Sequence, residues 1–208
     1  VVPGLLDGLN SYASRIGDTV YAVLGTPTIG DGDAIAYPAD PQLALLVHEF
    51  HHACMNPWVD AHADVLLPAA TRAFEVVQAR LQALAYTSPQ ILLYETMVRA
   101  NTLRYMRSHG EDAGFRRLVA EDTGKAFPWT PALADLLDVD ARDGGGFGPE
   151  TPARVAALLD DWARDGGARI AEAERQAADR ASGRSRSRPP PPEPARRRAA
   201  QAIGAGMP

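Results

Sequence analysis

Residues 40 to 57 read D-P-Q-L-A-L-L-V-H-E-F-H-H-A-C-M-N-P, and the rest of the chain is read outward from them. Asp40 suits a helix N-cap, and Pro41 suits the first helical position, where a missing N–H leaves nothing unsatisfied. Asn56-Pro57 biases the backbone away from helix, so the helix is expected to end there. Between these marks lie His48, Glu49 and His52 in the spacing H-E-x-x-H. Residues four apart stand one above the other on a helix face, so the two imidazoles can converge on one ion. Glu49 falls beside them, in reach of a proton on a metal-bound water.

At about 100° per residue, Leu43, Leu46, Val47, Phe50 and Cys54 share an apolar face, which is expected to pack on the core. His48 and His52 point nearly opposite, flanked by Ala44, Leu45 and Met55. A helix apolar on both sides is buried on both sides, so the histidines should face a second layer of protein or an enclosed cleft.

Upstream, residues 1–19 mix Leu5, Leu6, Leu9 and Ile16 with Gly and Asp, read as an N-terminal extension or short amphipathic helix. Residues 20–24 (V-Y-A-V-L) are β-branched and aromatic enough for a strand. A turn at residues 30–33 and a short strand at 34–37 follow, so the two strands are expected to form a small antiparallel ribbon. Such an edge either binds an extended peptide by strand addition or merely covers the core.

Downstream, Asp60, His62 and Asp64 compete as a third ligand. The pattern H-E-x-x-H-x-x-G-x-x-H is absent, because Met55 and Trp58 stand where its glycine and third histidine belong. Residues 68–86 read as a helix with Phe74, Val77, Leu81 and Leu84 inward and Arg72, Glu75 and Arg80 outward. Ser88-Pro89 opens another, to about Arg107. On it Ile91, Glu95, Val98, Thr102 and Tyr105 form one stripe, in which Glu95 is a lone carboxylate. A buried carboxylate needs a cation. Either Arg99, one turn on, supplies it, or Glu95 points at the same ion as His48 and His52. The second is favoured, because three protein ligands plus water make the usual open catalytic zinc site. Arg99 then orients Glu95 from behind or binds a substrate carboxylate. Tyr94 and Tyr37 are candidate oxyanion donors; Tyr105 lies about 15 Å along the helix from Glu95, too far to serve.

Later helices carry Phe115, Leu118 and Val119; Trp129, Leu133, Leu136 and Leu137; and Val155, Leu158, Leu159 and Trp162, all expected in the core. The glycine run at 144–148 lacks a phosphate-loop lysine and reads as a connector. Residues 171–182 read as an exposed charged helix. The Pro- and Arg-rich stretch beyond has no apolar periodicity and is expected to be disordered, its six arginines at 184–198 forming a solvated linker or touching an anionic surface.

The chain has 208 residues, room for one sizeable domain and an appendage. It begins at Val1, which reads as a processed or trimmed product. No apolar run approaches a membrane span, and a net charge of −5 does not suggest a nucleic-acid partner. Cys54 is the only cysteine, so no intrachain disulfide forms, and its place on the apolar face makes it a packing residue.

The blocks V-H-E-F-H-H-A-C-M-N-P-W-V-D (47–60) and L-Y-E-T-M-V-R-A-N-T-L-R-Y (93–105) together resemble an uncharacterised bacterial family of zinc peptidases. Its pattern is H-E-F-x-H, then N-P, then a helix bearing Glu with Arg four residues on. The resemblance covers roughly residues 20–165. It implies a gluzincin-like site, with His48, His52 and Glu95 on one zinc ion per chain and Glu49 as general base. It also implies an exported protein acting on peptides or proteins. The expectation is an α+β, mostly helical zincin-like domain over 20–165 with a small N-terminal antiparallel ribbon, followed at 166–208 by the charged helix and tail. The rival readings are a non-catalytic zincin-shaped module holding a structural metal, closed by a fourth ligand such as His51 or His62, and a metal-dependent amidase on non-peptide substrates.

Overall fold

Ser88 starts the helix around which the others gather. Its extended backbone and its Oγ, accepting from the Ile91 N–H at 3.2 Å, make an N-cap, and Pro89 follows at the first helical position. The computed structural model describes residues 1–4, 11–25, 28–29, 35–36, 39–142 and 147–186. Six helices are described: α1 (Ala39–Ala61), α2 (Ala63–Gln82), α3 (Pro89–Ser108), α4 (Asp112–Gly124), α5 (Thr130–Arg142) and α6 (Thr151–Arg186). Leu92, Leu93, Met97, Val98, Ala100, Leu103 and Met106 of α3 are fully buried, so this helix has apolar contacts nearly all round. It packs against α1, α2, α4 and α5.

The strands are β1 (Val2–Gly4), β2 (Tyr12–Ile16), β3 (Thr19–Gly25), β4 (Thr28–Ile29) and β5 (Ile35–Ala36). The order β1-β3-β2 makes a three-stranded sheet, β1 parallel and β2 antiparallel to β3; β4 and β5 form a separate antiparallel pair. The fold is thus mostly helical with small N-terminal sheets.

The sheet departs from the expected ribbon. Residues 20–24 do lie in a strand, but β3 is the central one and pairs with β2 and β1, not with β5. It therefore offers no free edge. The described part of residues 1–19 is strand, not helix, because Gly17 at φ +59° opens a two-residue turn that folds β2 onto β3.

Helix α1 also differs. It continues through Pro57 to Ala61. Pro57 lies on the exposed side, and the complete burial of Val59 beyond it offsets the lost helical hydrogen bond. The expected core face is covered only over its first turns: Val47 is buried and Leu43 and Leu46 half-buried, but Phe50 and Cys54 are exposed. Cys54 is not a packing residue. The helix turns its histidine side to α3 instead, where the Asn101 amide donates to Met55 Sδ at 3.2 Å.

Helix α2 begins five residues before the expected start and ends before Leu84, which is exposed; Phe74, Val77 and Leu81 are buried as read. Trp129, Leu133, Leu137, Val155, Leu159 and Trp162 are buried, with the Trp129 and Trp162 rings 4.6 Å apart. The chain divides into a unit Val1–Arg169 and a unit Ile170–Pro208; of the latter, the described residues are helical to Arg186. Among the described residues no helix is long and apolar enough to cross a membrane. Leu5, Leu6 and Leu9, the turn at 30–33, Tyr37, the glycines at 144–146 and the tail from 187 lie outside the described residues.

Candidate metal centre

The i, i+4 spacing on α1 stacks His48 and His52 with ring centroids 4.9 Å apart, bringing their Nε2 atoms to 3.3 Å. From α3, Glu95 meets both: Oε1 is 3.5 Å from His52 Nε2, and Oε2 is 3.7 Å from His48 Nε2. Among the described residues, these three form the one group whose ligand atoms converge this way.

The proton inventory shows what such a cluster asks for. His52 Nδ1 faces Asn56 Oδ1 at 3.2 Å, so Nδ1 is assigned the hydrogen and Nε2 the lone pair. Burial, aided by the positive charge of Arg99, holds His48 well below its ordinary pKa, so this ring is neutral at neutral pH. A hydrogen on His48 Nε2 serves either His52 or Glu95, not both. Glu95 Oε2 is buried without an aligned hydrogen bond. A cation satisfies all three groups together. Zinc bonds to nitrogen and oxygen of about 2.0–2.2 Å at tetrahedral angles place ligand atoms roughly 3.3–3.6 Å apart, and the observed separations are 3.3, 3.5 and 3.7 Å. The donor set fits zinc.

Beside this cluster lies a cleft of about 490 Å³ lined by His48, Glu49, Tyr86, Arg99, Glu121 and Lys125, among others. Glu49 is 6% exposed. Burial, reinforced by the nearby Glu95 carboxylate, pushes its pKa up to about 7. A carboxyl poised there exchanges protons readily at neutral pH.

Arg99 closes the far side of Glu95. Its Nη2 is 3.0 Å from Glu95 Oε2, its Nη1 donates to Asp122 Oδ1 at 2.8 Å, and Nη2 donates to the Tyr86 hydroxyl at 3.3 Å. The guanidinium also lies 4.6 Å from the centre of the Phe127 ring. Glu95 thus pairs with Arg99 and also faces the two imidazoles.

The competing ligands are occupied elsewhere or turned away. Asp60 accepts from Tyr94 Oη at 2.5 Å and Gln90 Nε2 at 2.6 Å, which also removes Tyr94 from the site. His62 Nδ1 donates to the Trp58 carbonyl at 2.7 Å, and Asp64 is exposed in the first turn of α2. Neither His51 nor His62 joins the cluster. Tyr105 stacks on His109. Tyr86, from the α2–α3 connection, and Asp122 and Phe127, from α4 and the loop after it, belong to no sequence motif; their place follows from these segments packing around Arg99 of α3. Comparison with protein-family models, curated proteins and solved structures found no match for the chain.

Proposed function

We propose that the protein is a zinc-dependent peptidase of gluzincin-like design on a zincin-like fold. The observation supporting this is the convergence of the His48, His52 and Glu95 ligand atoms to within 4.8 Å of one another, beside a cleft that also holds Glu49. His48, His52 and Glu95 would hold one zinc ion per chain. When bound, the ion supplies Lewis-acid polarisation of a scissile carbonyl and acidifies water. Glu49, buried beside the cluster, takes the proton of the attacking water and returns it to the leaving amine. Arg99, 3.0 Å from Glu95 Oε2, stands behind the carboxylate and restricts where it can turn. The substrate is a peptide or protein entering the cleft.

A structural zinc site would usually be closed by a fourth protein ligand; no such ligand joins the three among the described residues, which favours the open, catalytic reading. The test is a pair of measurements on the purified chain: about one zinc per chain by elemental analysis, and cleavage in a peptide library that Glu49→Gln abolishes while the zinc is retained. Hydrolysis undiminished in that variant would reject the mechanism.

A further inference from the structure

The cluster contains a competition that one more residue resolves. An arginine 3.0 Å from a metal-ligating carboxylate works against the metal, because its charge cancels the one the ligand would offer. Yet the aligned hydrogen bond of Arg99 Nη1 goes to Asp122, while Glu95 Oε2 has charge contact only. Asp122 is 2% exposed, is also held by the Thr130 hydroxyl at 3.0 Å, and comes from α4, outside the two helices that carry the ligands. Two carboxylates thus share one guanidinium, a formal charge of −1 for the three groups. Without Asp122 that formal charge is zero, and the guanidinium, still touching the Tyr86 hydroxyl and the Phe127 ring, keeps Glu95 as its remaining carboxylate.

We propose that Asp122 is a positioning residue of the cation site: it holds Arg99 in place and balances its charge, so that Glu95 stays available to a divalent ion. This rests on the cation-site reading above and extends it to α4. The prediction is specific to charge. Asp122→Asn preserves shape and an acceptor oxygen, but removes the countercharge.

The experiment is titration of the metal-free, full-length chain with cobalt(II), followed by its visible absorption spectrum, which reports ligand number and geometry. The wild type is expected to bind one ion, Asp122→Asn to bind about 10- to 100-fold more weakly with an altered spectrum, and Asp122→Glu to recover part of the affinity. Asp138→Asn is the control. Asp138 likewise bridges two arginines of α3, Arg104 and Arg107, but joins no ligand, and its loss should leave affinity and spectrum unchanged. Arg99→Met and Arg99→Met/Asp122→Asn form a second comparison if Asp122→Asn does not fold. With Arg99 absent, Asp122 has nothing to act through, and the two should bind cobalt equally. Wild-type affinity and spectrum in Asp122→Asn, or a clear difference between the two Arg99→Met chains, overturns the role of Asp122 and leaves the site standing. A wild type that binds no cobalt overturns the site itself.

Discussion

His52 Nε2 lies 3.3 Å from His48 Nε2, and each imidazole has its second neighbour in the Glu95 carboxylate, at 3.5 and 3.7 Å. Two imidazole nitrogens that close gain little from each other and much from a shared cation. His48→Ala, His52→Ala and Glu95→Ala should each lower zinc affinity by orders of magnitude. Chelation should lower the thermal midpoint of the wild type, since an ion at 100 times its dissociation constant adds about 2.7 kcal/mol to the folded state. Calorimetry with and without chelator checks this; a wild-type midpoint indifferent to zinc counts against the site.

The Glu49 carboxyl gives a pH signature in the metal-free chain. Its folded pKa is raised to about 7 from an ordinary 4.5, chiefly by burial and then by Glu95. Between these values the folded state holds more protons at Glu49 than the unfolded state, so the Glu49 contribution falls as pH rises through the window and is level above it. Glu49→Gln lacks this loss. Metal-free Glu49→Gln should therefore gain stability relative to the wild type from pH 4.5 upward, levelling near pH 7. Denaturant midpoints at a series of pH values measure the difference, and a constant offset across the series contradicts the assignment.

Asp138 should show the opposite sign. Burial works against its charge, but hydrogen bonds from Arg104 and Arg107 outweigh it and hold the carboxyl below its ordinary 3.8. Its stabilisation is present above that value and lost as pH falls through the folded pKa. The pair joins α3 to α5, so Asp138→Asn should destabilise the chain by about 1–2 kcal/mol at neutral pH. The deficit should shrink as the pH approaches 3. Urea titrations of the two chains at pH 7 and pH 3 test it.

How much of this was legible beforehand depended on whether the signal was local. The H-E-x-x-H spacing, the Ser88-Pro89 start and the lone carboxylate at Glu95 are local or periodic, and the candidate cluster of His48, His52 and Glu95 could be read from them. The Gly17-Asp18 hairpin signal was equally local, but the leucines at 5, 6 and 9 suggested a helix across it. Period alone finds apolar residues on both sides of α1; the Phe50–Cys54 end of the expected core face is exposed, while the side with Ala44, Met55 and the imidazoles meets α3, a neighbour distant in sequence. Asp122 and Tyr86 meet Arg99 across 23 and 13 residues of chain, and no pattern of spacing encodes such a meeting.

Asn56 is the residue whose meaning changed most. In the sequence it marks, with Pro57, an expected helix end; in the structure the helix runs on, and the Asn56 amide oxygen accepts from His52 Nδ1 at 3.2 Å. That bond fixes the ring and leaves Nε2 as the lone-pair nitrogen facing Glu95. A partner of this kind sets both the tautomer and the ring orientation of the imidazole. Asn56→Leu, close in size but without an acceptor, should weaken zinc binding by about tenfold or more. Asn56→Asp restores an acceptor with a charge, and should bind at least as tightly as the wild type. Competition titration against a chromophoric chelator ranks the three chains, and an order with Leu equal to Asn would show that His52 needs no support from α1.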